Sequence, residues 1–281
     1  MSLSLQTNVT SLVAQQNLQV NTNSLDNAIT QLTSGYRINS AGDDAAGLAV
    51  ANGYRADVTE LQQGVRNAND GTATLQTIDG GLNNISNILD QLQTLATQSA
   101  SGTFQGNRAT LNQEFTTLLG EINRQAANIG LASGGGTTTG SVNNNTISVF
   151  IGGGDNQTDS QVTINLSGSA NIVDSSGLGI SSNAVDTIGH AQTAITDITA
   201  AIQSLGLVQG SVGDGENDLT YAIGLANSQI TNLSASESTI RDANVAQEAS
   251  ALTQSQILQQ SSVSALAQAN AEPEALLKLL Q

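Results

Sequence analysis

The chain has 281 residues, no Cys, no Trp and 2% aromatics, and Ala, Leu, Ile and Val make up most of its apolar 38%. Small aliphatic side chains of this kind suit thin helical bundles with long seams better than the thick core of a compact enzyme. A formal net charge of -16 excludes the basic face that nucleic acid requires and opposes docking on anionic membranes, and without Cys there is no disulfide and no thiolate ligand.

Residues 5–36 place Leu5, Val9, Leu12, Leu18, Leu25, Ile29, Leu32 and Tyr36 on an amphipathic helix that is weakest at Gln15-Gln16-Asn17. So modest a stripe is marginal as an isolated helix, and it is expected to be disordered in the free chain and to order against a partner. Gly35 ends it, and Asp43-Asp44 opens the next helix as N-cap and dipole partner rather than as an acid/base or metal pair. That second helix runs from 44 to 99, about 80 Å at 1.5 Å per residue. Val58, Leu61, Val65, Leu75, Leu82 and Leu92 line its seam, with Gly71 and Gly80-Gly81 permitting close helix approach. A third helix with Leu111, Phe115, Leu118, Ile122, Ala126 and Ile129 should fold back antiparallel on it.

Near Ala132 the texture changes. Gly134-Gly135-Gly136 is a linker, and the runs 146–151 and 161–166 alternate at period two, predicting one or two β-hairpins between about 140 and 182. Asp155-Asn156-Gln157-Thr158-Asp159 lacks the spacing and closing Glu of a calcium loop. The longest seam follows over 188–240. Ala191, Ile198, Leu205, Val212, Leu219, Ala226, Leu233 and Ile240 recur at seven, and a second register carries Ile188, Ile195, Ile202, Ile223 and Ile230. A bend or a frayed turn is expected at Gly210, Gly213 and Gly215, and the lone His190 reads as a polar face residue. A weak last helix carries Val245, Leu252, Val263 and Leu266, with the sole proline, Pro273, closing it.

The predicted fold is mainly α: an elongated antiparallel coiled-coil or helical-bundle rod with a small β-hairpin region packed on it and both termini at one pole. The chain divides into a terminal helix (1–40), paired helices (41–132), hairpins (133–185), the long seam helix (186–240) and a second terminal helix (241–281). The core of the long helices is assigned to Val58, Leu61, Val65, Leu75, Leu82 and Leu92 with Ile195, Ile198, Ile202, Leu205, Leu219, Ile230 and Leu233. The terminal helices present an assembly seam of Leu5, Val9, Leu12, Leu18, Leu25 and Leu32 with Val245, Leu252, Val263 and Leu266. No stretch approaches the roughly 18 apolar residues of a membrane span. No charged, apolar leader follows Met1, so no cleavable signal peptide is expected. No metalloprotease helix, nucleophile elbow, phosphate loop or dinucleotide fingerprint occurs, and no catalytic, cofactor or metal residue is assigned.

Ser34-Gly35-Tyr36-Arg37-Ile38-Asn39-Ser40-Ala41-Gly42-Asp43-Asp44-Ala45-Ala46-Gly47-Leu48-Ala49 resembles the N-terminal signature of bacterial flagellin, and Val65-Arg66-Asn67-Ala68-Asn69-Asp70-Gly71 the next block. Ile240-Arg241-Asp242-Ala243, Gln256-Ile257-Leu258-Gln259-Gln260 and Ala265-Leu266-Ala267-Gln268-Ala269-Asn270 resemble the C-terminal signature. The resemblance covers roughly 1–132 and 185–281. It implies a secreted subunit that polymerises into the flagellar filament for motility, with termini in the inner D0 layer and the long helices with hairpins in D1. Only about fifty residues separate the helical halves, so outer D2 and D3 domains are expected to be absent. The implied partners are copies of itself, an export chaperone, and the filament cap and hook-associated proteins, after passage through the flagellar type III export channel.

Three departures stand out. Gly213-Asp214-Gly215-Glu216-Asn217-Asp218 replaces an Arg-bearing stretch of the family, and Glu272-Pro273-Glu274 makes the end more acidic. Asp90-Gln91-Leu92-Gln93-Thr94-Leu95 replaces Arg and Glu on the face that the innate immune receptor TLR5 reads, which argues against recognition by it. Two other readings stand beside the filament subunit: a hook–filament junction protein with similar termini, and a secreted coiled-coil adhesin.

Overall fold

The computed structural model describes residues 7–133, 146–153 and 160–279. Five helices and one hairpin follow in order: α1 (Val9–Ser34), α2 (Ala45–Ala100), α3 (Arg108–Asn128), β1 (Thr146–Phe150), β2 (Gln161–Asn165), α4 (Ile188–Arg241) and α5 (Val245–Leu279). Two compact units result. A terminal unit joins Met1–Ala56 to Asn232–Gln281, and a central unit spans Asp57–Thr231.

The central unit is built on two heptad seams. In α2 the buried positions are Leu61, Ala68, Leu75, Leu82, Leu89 and Ala96, each seven apart, three residues later Gly64, Gly71, Ile78, Ile85, Leu92 and Ser99, and, outside these two tracks, Gly81 and Ile88. In α4 they are Ala191, Ile198, Leu205, Val212, Leu219 and Ala226, and three later Ala194, Ala201, Val208 and Gly215. The helices run antiparallel: Gln209 Nε2 donates to Asn83 Oδ1 at 3.2 Å, and Leu219 lies beside Gly71.

The second track of each seam therefore differs from the sequence expectation. Val58, Val65, Ile195, Ile202 and Ile230 are half-buried on the flanks, as is Leu233 in the terminal unit, while Leu61, Leu75, Leu82, Leu92, Ile198, Leu205 and Leu219 are buried. Gly64, Gly71, Ala194, Ala201 and Gly215 share the second track with Ile78, Ile85, Leu92 and Val208, and apolarity alone does not reveal the small residues among them. The glycines do not serve helix approach only. A Cβ on Gly64 would stand 1.7 Å from the Ile151 carbonyl oxygen, one on Gly71 2.8 Å from Val149 Cγ2, and one on Gly215 2.9 Å from Ile164 Cγ2. They are the seats of the hairpin, β1 on α2 and β2 on α4.

Among the described residues there is one hairpin, antiparallel, with Ile147 opposite Ile164 and Val149 opposite Val162. Val149 and Ile164 point inward and are buried. Gly152 and Gly153 follow β1 with φ of 84° and 83°, and Asn67 Nδ2 donates to the Phe150 carbonyl at 3.0 Å. The acidic loop 155–159 lies outside the described residues.

α3 folds back along α2, as its pattern predicts. Ile129, its C-cap, meets Gly81, and Arg108 near the other end donates to the carbonyls of Ser99 (3.1 Å) and Ser101 (2.9 Å), closing the turn. Leu119, rather than Leu118, shares the buried face with Phe115, Ile122 and Ala126. Residues 172–185 then form a strap pinned to α3 by two asparagines: Asn123 Oδ1 accepts from Ser175 N and Asn112 Oδ1 from Val185 N, both at 2.8 Å.

Asp174 anchors the strap. It is buried and accepts from Ser133 N (2.7 Å), Ser133 Oγ and Gly177 N (2.7 Å). Burial pushes its carboxyl up, but the hydrogen bonds from Ser133 and Gly177 outweigh this and leave it below the ordinary 3.8. A depressed folded value stabilises the ionised fold above pH 3.8, and that contribution is lost as pH falls through the lower folded value. Asp174→Ala is expected to cost the central unit about 2 kcal/mol, because it removes three hydrogen bonds to a charged acceptor. Urea melts at pH 7 and at pH 2 check this: the gap between wild type and variant should narrow in acid.

Two further expectations are corrected. α4 is continuous through Gly210, Gly213 and Gly215. Gly210 and Gly213 meet open space and Gly215 is held by Ile164, so the seam residues Val212 and Leu219 carry the helix across. α5 runs past Pro273 to Leu279. The good helix formers from Ala275 onward resume the helix after the one missing N–H donor.

Candidate functional site: the α1–α5 pair

The terminal unit has a much thinner interior. Asn8 caps α1, accepting from Ser11 N at 3.1 Å, and Gly35 closes it in the left-handed region at φ 75°. After the turn, Asp43 accepts from Ser40 N (2.8 Å) and Asn39 N (3.0 Å), which holds its carboxyl below the ordinary value. Asp44 Oδ1 then accepts from Gly47 N at 2.9 Å, the N-cap expected of this acidic pair. Asn244 does the same for α5, accepting from Ala246 N at 3.2 Å.

α1 and α5 pack antiparallel. Asn21 Nδ2 donates to Ser262 Oγ at 2.7 Å, Ser11 Oγ to Asn270 Oδ1 at 2.7 Å, and Asn8 Nδ2 to the Ala269 carbonyl at 2.7 Å. One heptad from Asn21, the same register sets Ala28 level with Ser255. These are the only fully buried residues of the two helices among those whose side chains are described. Leu18, Leu25, Leu32, Leu252 and Leu266 are half-buried along this contact. Val9, Leu12, Val245 and Val263 are not brought into it and are 61%, 57%, 60% and 52% exposed. Leu5 lies outside the described residues. Val13, Val20, Ile257 and Leu258 are exposed as well. On α1, Val9, Leu12, Val13 and Val20 fall within about 100° of one another around the helix. The pair thus turns an apolar stripe away from itself.

The joints at the base of the pair meet, which the sequence reading did not anticipate. Tyr36 bridges Asp242: Arg37 N donates to the Arg241 carbonyl at 2.7 Å, and Ala243 N to the Gly35 carbonyl at 2.9 Å. Arg37 Nη2 donates to the Ile240 carbonyl at 2.7 Å, and the Arg241 guanidinium lies 4.1 Å from the Tyr36 ring centroid. Two of only seven basic residues converge there, and their scarcity was the available signal. His190 pairs with Asp186 at 2.6 Å on the surface of the other unit, one turn from the start of α4, and the bond holds Asp186 below its ordinary value. Among the described residues no His, Asp or Glu cluster suits a metal, and no helix is long and apolar enough to cross a membrane.

Two family models match this chain: the bacterial flagellin N-terminal helical region over residues 5–130 and the bacterial flagellin C-terminal helical region over 188–280. The chain belongs to the bacterial flagellin family. A flagellin of Halalkalibacterium halodurans is 34% identical over 279 residues, covering 98% of each chain. The flagellar filament 30.7 kDa core protein of Treponema maltophilum is 32% identical over 283 residues, 97% of this chain and 98% of that one. Among solved structures, a crystal structure of Bacillus cereus flagellin matches at 25% identity and a TM-score of 0.46, over 61% of this chain and 94% of that one. Matches of near-equal length across the whole chain fit a short flagellin. As a flagellin, the chain is a structural subunit of the extracellular flagellar filament. It polymerises with copies of itself, serves swimming motility and is not an enzyme.

Proposed function

We propose that α1 and α5 are the surfaces through which this flagellin polymerises. The exposed apolar stripe on α1, beside a pair that among the described residues buries only Ala28 and Ser255, supports this reading most strongly. Apolar residues left in water on a thin helix pair return about 25 cal/mol per Å² when another copy covers them. The same thinness lets the pair open in the free chain and close under its neighbours, because fixing each residue costs roughly 1–2 kcal/mol of backbone entropy. The order of events follows: secretion through the flagellar export channel, with a dedicated chaperone covering the free face of α5, then addition at the filament end beneath cap and hook-associated proteins. Asp90, Gln91 and Thr94 form an exposed face of α2 that carries no cation, which weighs against binding by TLR5.

Val13→Asp tests the stripe. The substitution leaves the α1–α5 contact intact but sets an unpaired charge where another copy must seat. The concentration needed for polymerisation should rise more than tenfold, since the expected cost exceeds 1.4 kcal/mol. Normal filaments at the wild-type concentration would remove Val13 from the assembly surface.

A further inference from the structure

We propose that the Tyr36–Arg241 clasp is a register device that positions α1 against α5 for assembly; this rests on the reading that those helices are the polymerising surface. Their own seam does not specify one alignment. Leu18, Leu25 and Leu32 recur every seven residues on α1, Leu252 and Leu266 fourteen apart on α5, and Ser255 and Ser262 seven apart. Sliding α5 by one heptad replaces Leu252, Gln259 and Leu266 along the contact by Val245, Leu252 and Gln259, two apolar side chains in either case, and puts Ser255 in the place of Ser262. The contacts that distinguish the native alignment within the pair are few, Asn21 to Ser262 and the bonds near Asn8.

The clasp cannot slide. It pairs backbone with backbone through two bonds, Arg37 N to Arg241 O and Ala243 N to Gly35 O, at the point where Gly35 has already ended α1. The Arg37 guanidinium then takes a carbonyl of α4's final turn, that of Ile240. The Arg241 guanidinium lies over the Tyr36 face, while Glu237 approaches it from one turn back at 3.7 Å. The clasp sits at the C-terminal end of α1 and the N-terminal end of α5, so closing it fixes which residues face one another along both helices. A slipped pair would present Val13 and Val20 to neighbouring copies at the wrong level.

The chain has no Cys, so disulfide trapping reads the register directly. Asn21→Cys is combined with Ser262→Cys for the native alignment, and with Ser255→Cys or Ala269→Cys for a heptad slip either way. The full chain is oxidised both in solution and as filaments, and the intramolecular product is separated by gel. With the clasp intact, the 21–262 product should exceed either slipped product at least tenfold. With Tyr36→Ala and Arg241→Ala it should fall at least threefold while a slipped product rises. Tyr36→Phe, which keeps the ring face, should restore the native pattern. An unchanged 21–262 yield in the clasp variant overturns the proposal. So does loss at all three pairs without a new product, which would mean that the clasp keeps the helices folded rather than aligned. Absence of filaments from the unaltered chain would instead count against the assembly reading.

Discussion

Replacing Gly64 with alanine is expected to unseat the hairpin. The new methyl would stand 1.7 Å from the Ile151 carbonyl oxygen and 2.6 Å from its Cα, and these are backbone atoms that cannot rotate away. The hairpin must lift from α2, loosening Val149 in its seat on Gly71 and the bond from Asn67 to Phe150. The expected cost is about 3 kcal/mol, the upper end for overpacking a tight core. Gly80→Ala is the matched control on the same helix. Nothing lies within 4 Å of its Cβ, so alanine should stabilise by up to about 1 kcal/mol through helix propensity alone. Thermal melts of the two variants should move in opposite directions. A Gly64→Ala variant as stable as Gly80→Ala would show that the hairpin does not rest on α2.

These glycines also mark where sequence reading stopped. The seven-residue recurrence of Leu61, Leu75 and Leu82, and of Ile198, Leu205 and Leu219, was legible because those side chains are both apolar and buried. The companion track was legible at Leu92 but not at its small positions, since Gly64, Gly71, Ala194, Ala201 and Gly215 announce a close approach without saying what approaches. Apolar neighbours such as Val65, Ile195 and Ile202 took their place in the reading, although they lie one residue off the seam. The hairpin strands were legible from their alternation, and the helix cap at Asp44 from its position before Ala45. The strap over α3 was not, because asparagines on a helix face give no sign that their side chains will hold a distant backbone. At the assembly surface, both halves of the clasp stood inside recognised motifs. Their meeting depends on a sequence separation of some two hundred residues, which no local pattern encodes.

Deleting residues 1–34 should abolish polymerisation outright while leaving the central unit folded. The central seams are formed within 57–231. α5 would then lose the partner that half-buries Leu252 and Leu266 and would carry an apolar face on every side. Circular dichroism should retain a cooperative melt for the central unit, and sedimentation should show no polymer at concentrations where the full chain polymerises completely. Filaments from the truncated chain would mean that the central unit alone holds the polymer together.

The claim beneath these expectations is that α1 and α5 are incompletely buried in one copy and completed by others. Hydrogen exchange measured on the soluble chain and on filaments tests it most directly. Amides in 9–34 and 245–270 should exchange quickly in the soluble chain and slow by at least a hundredfold on polymerisation, about 2.7 kcal/mol of added protection, while the seams within 57–231 are already protected in both. Slow exchange of the terminal helices in the soluble chain, or protection on polymerisation confined to 57–231, would contradict the account.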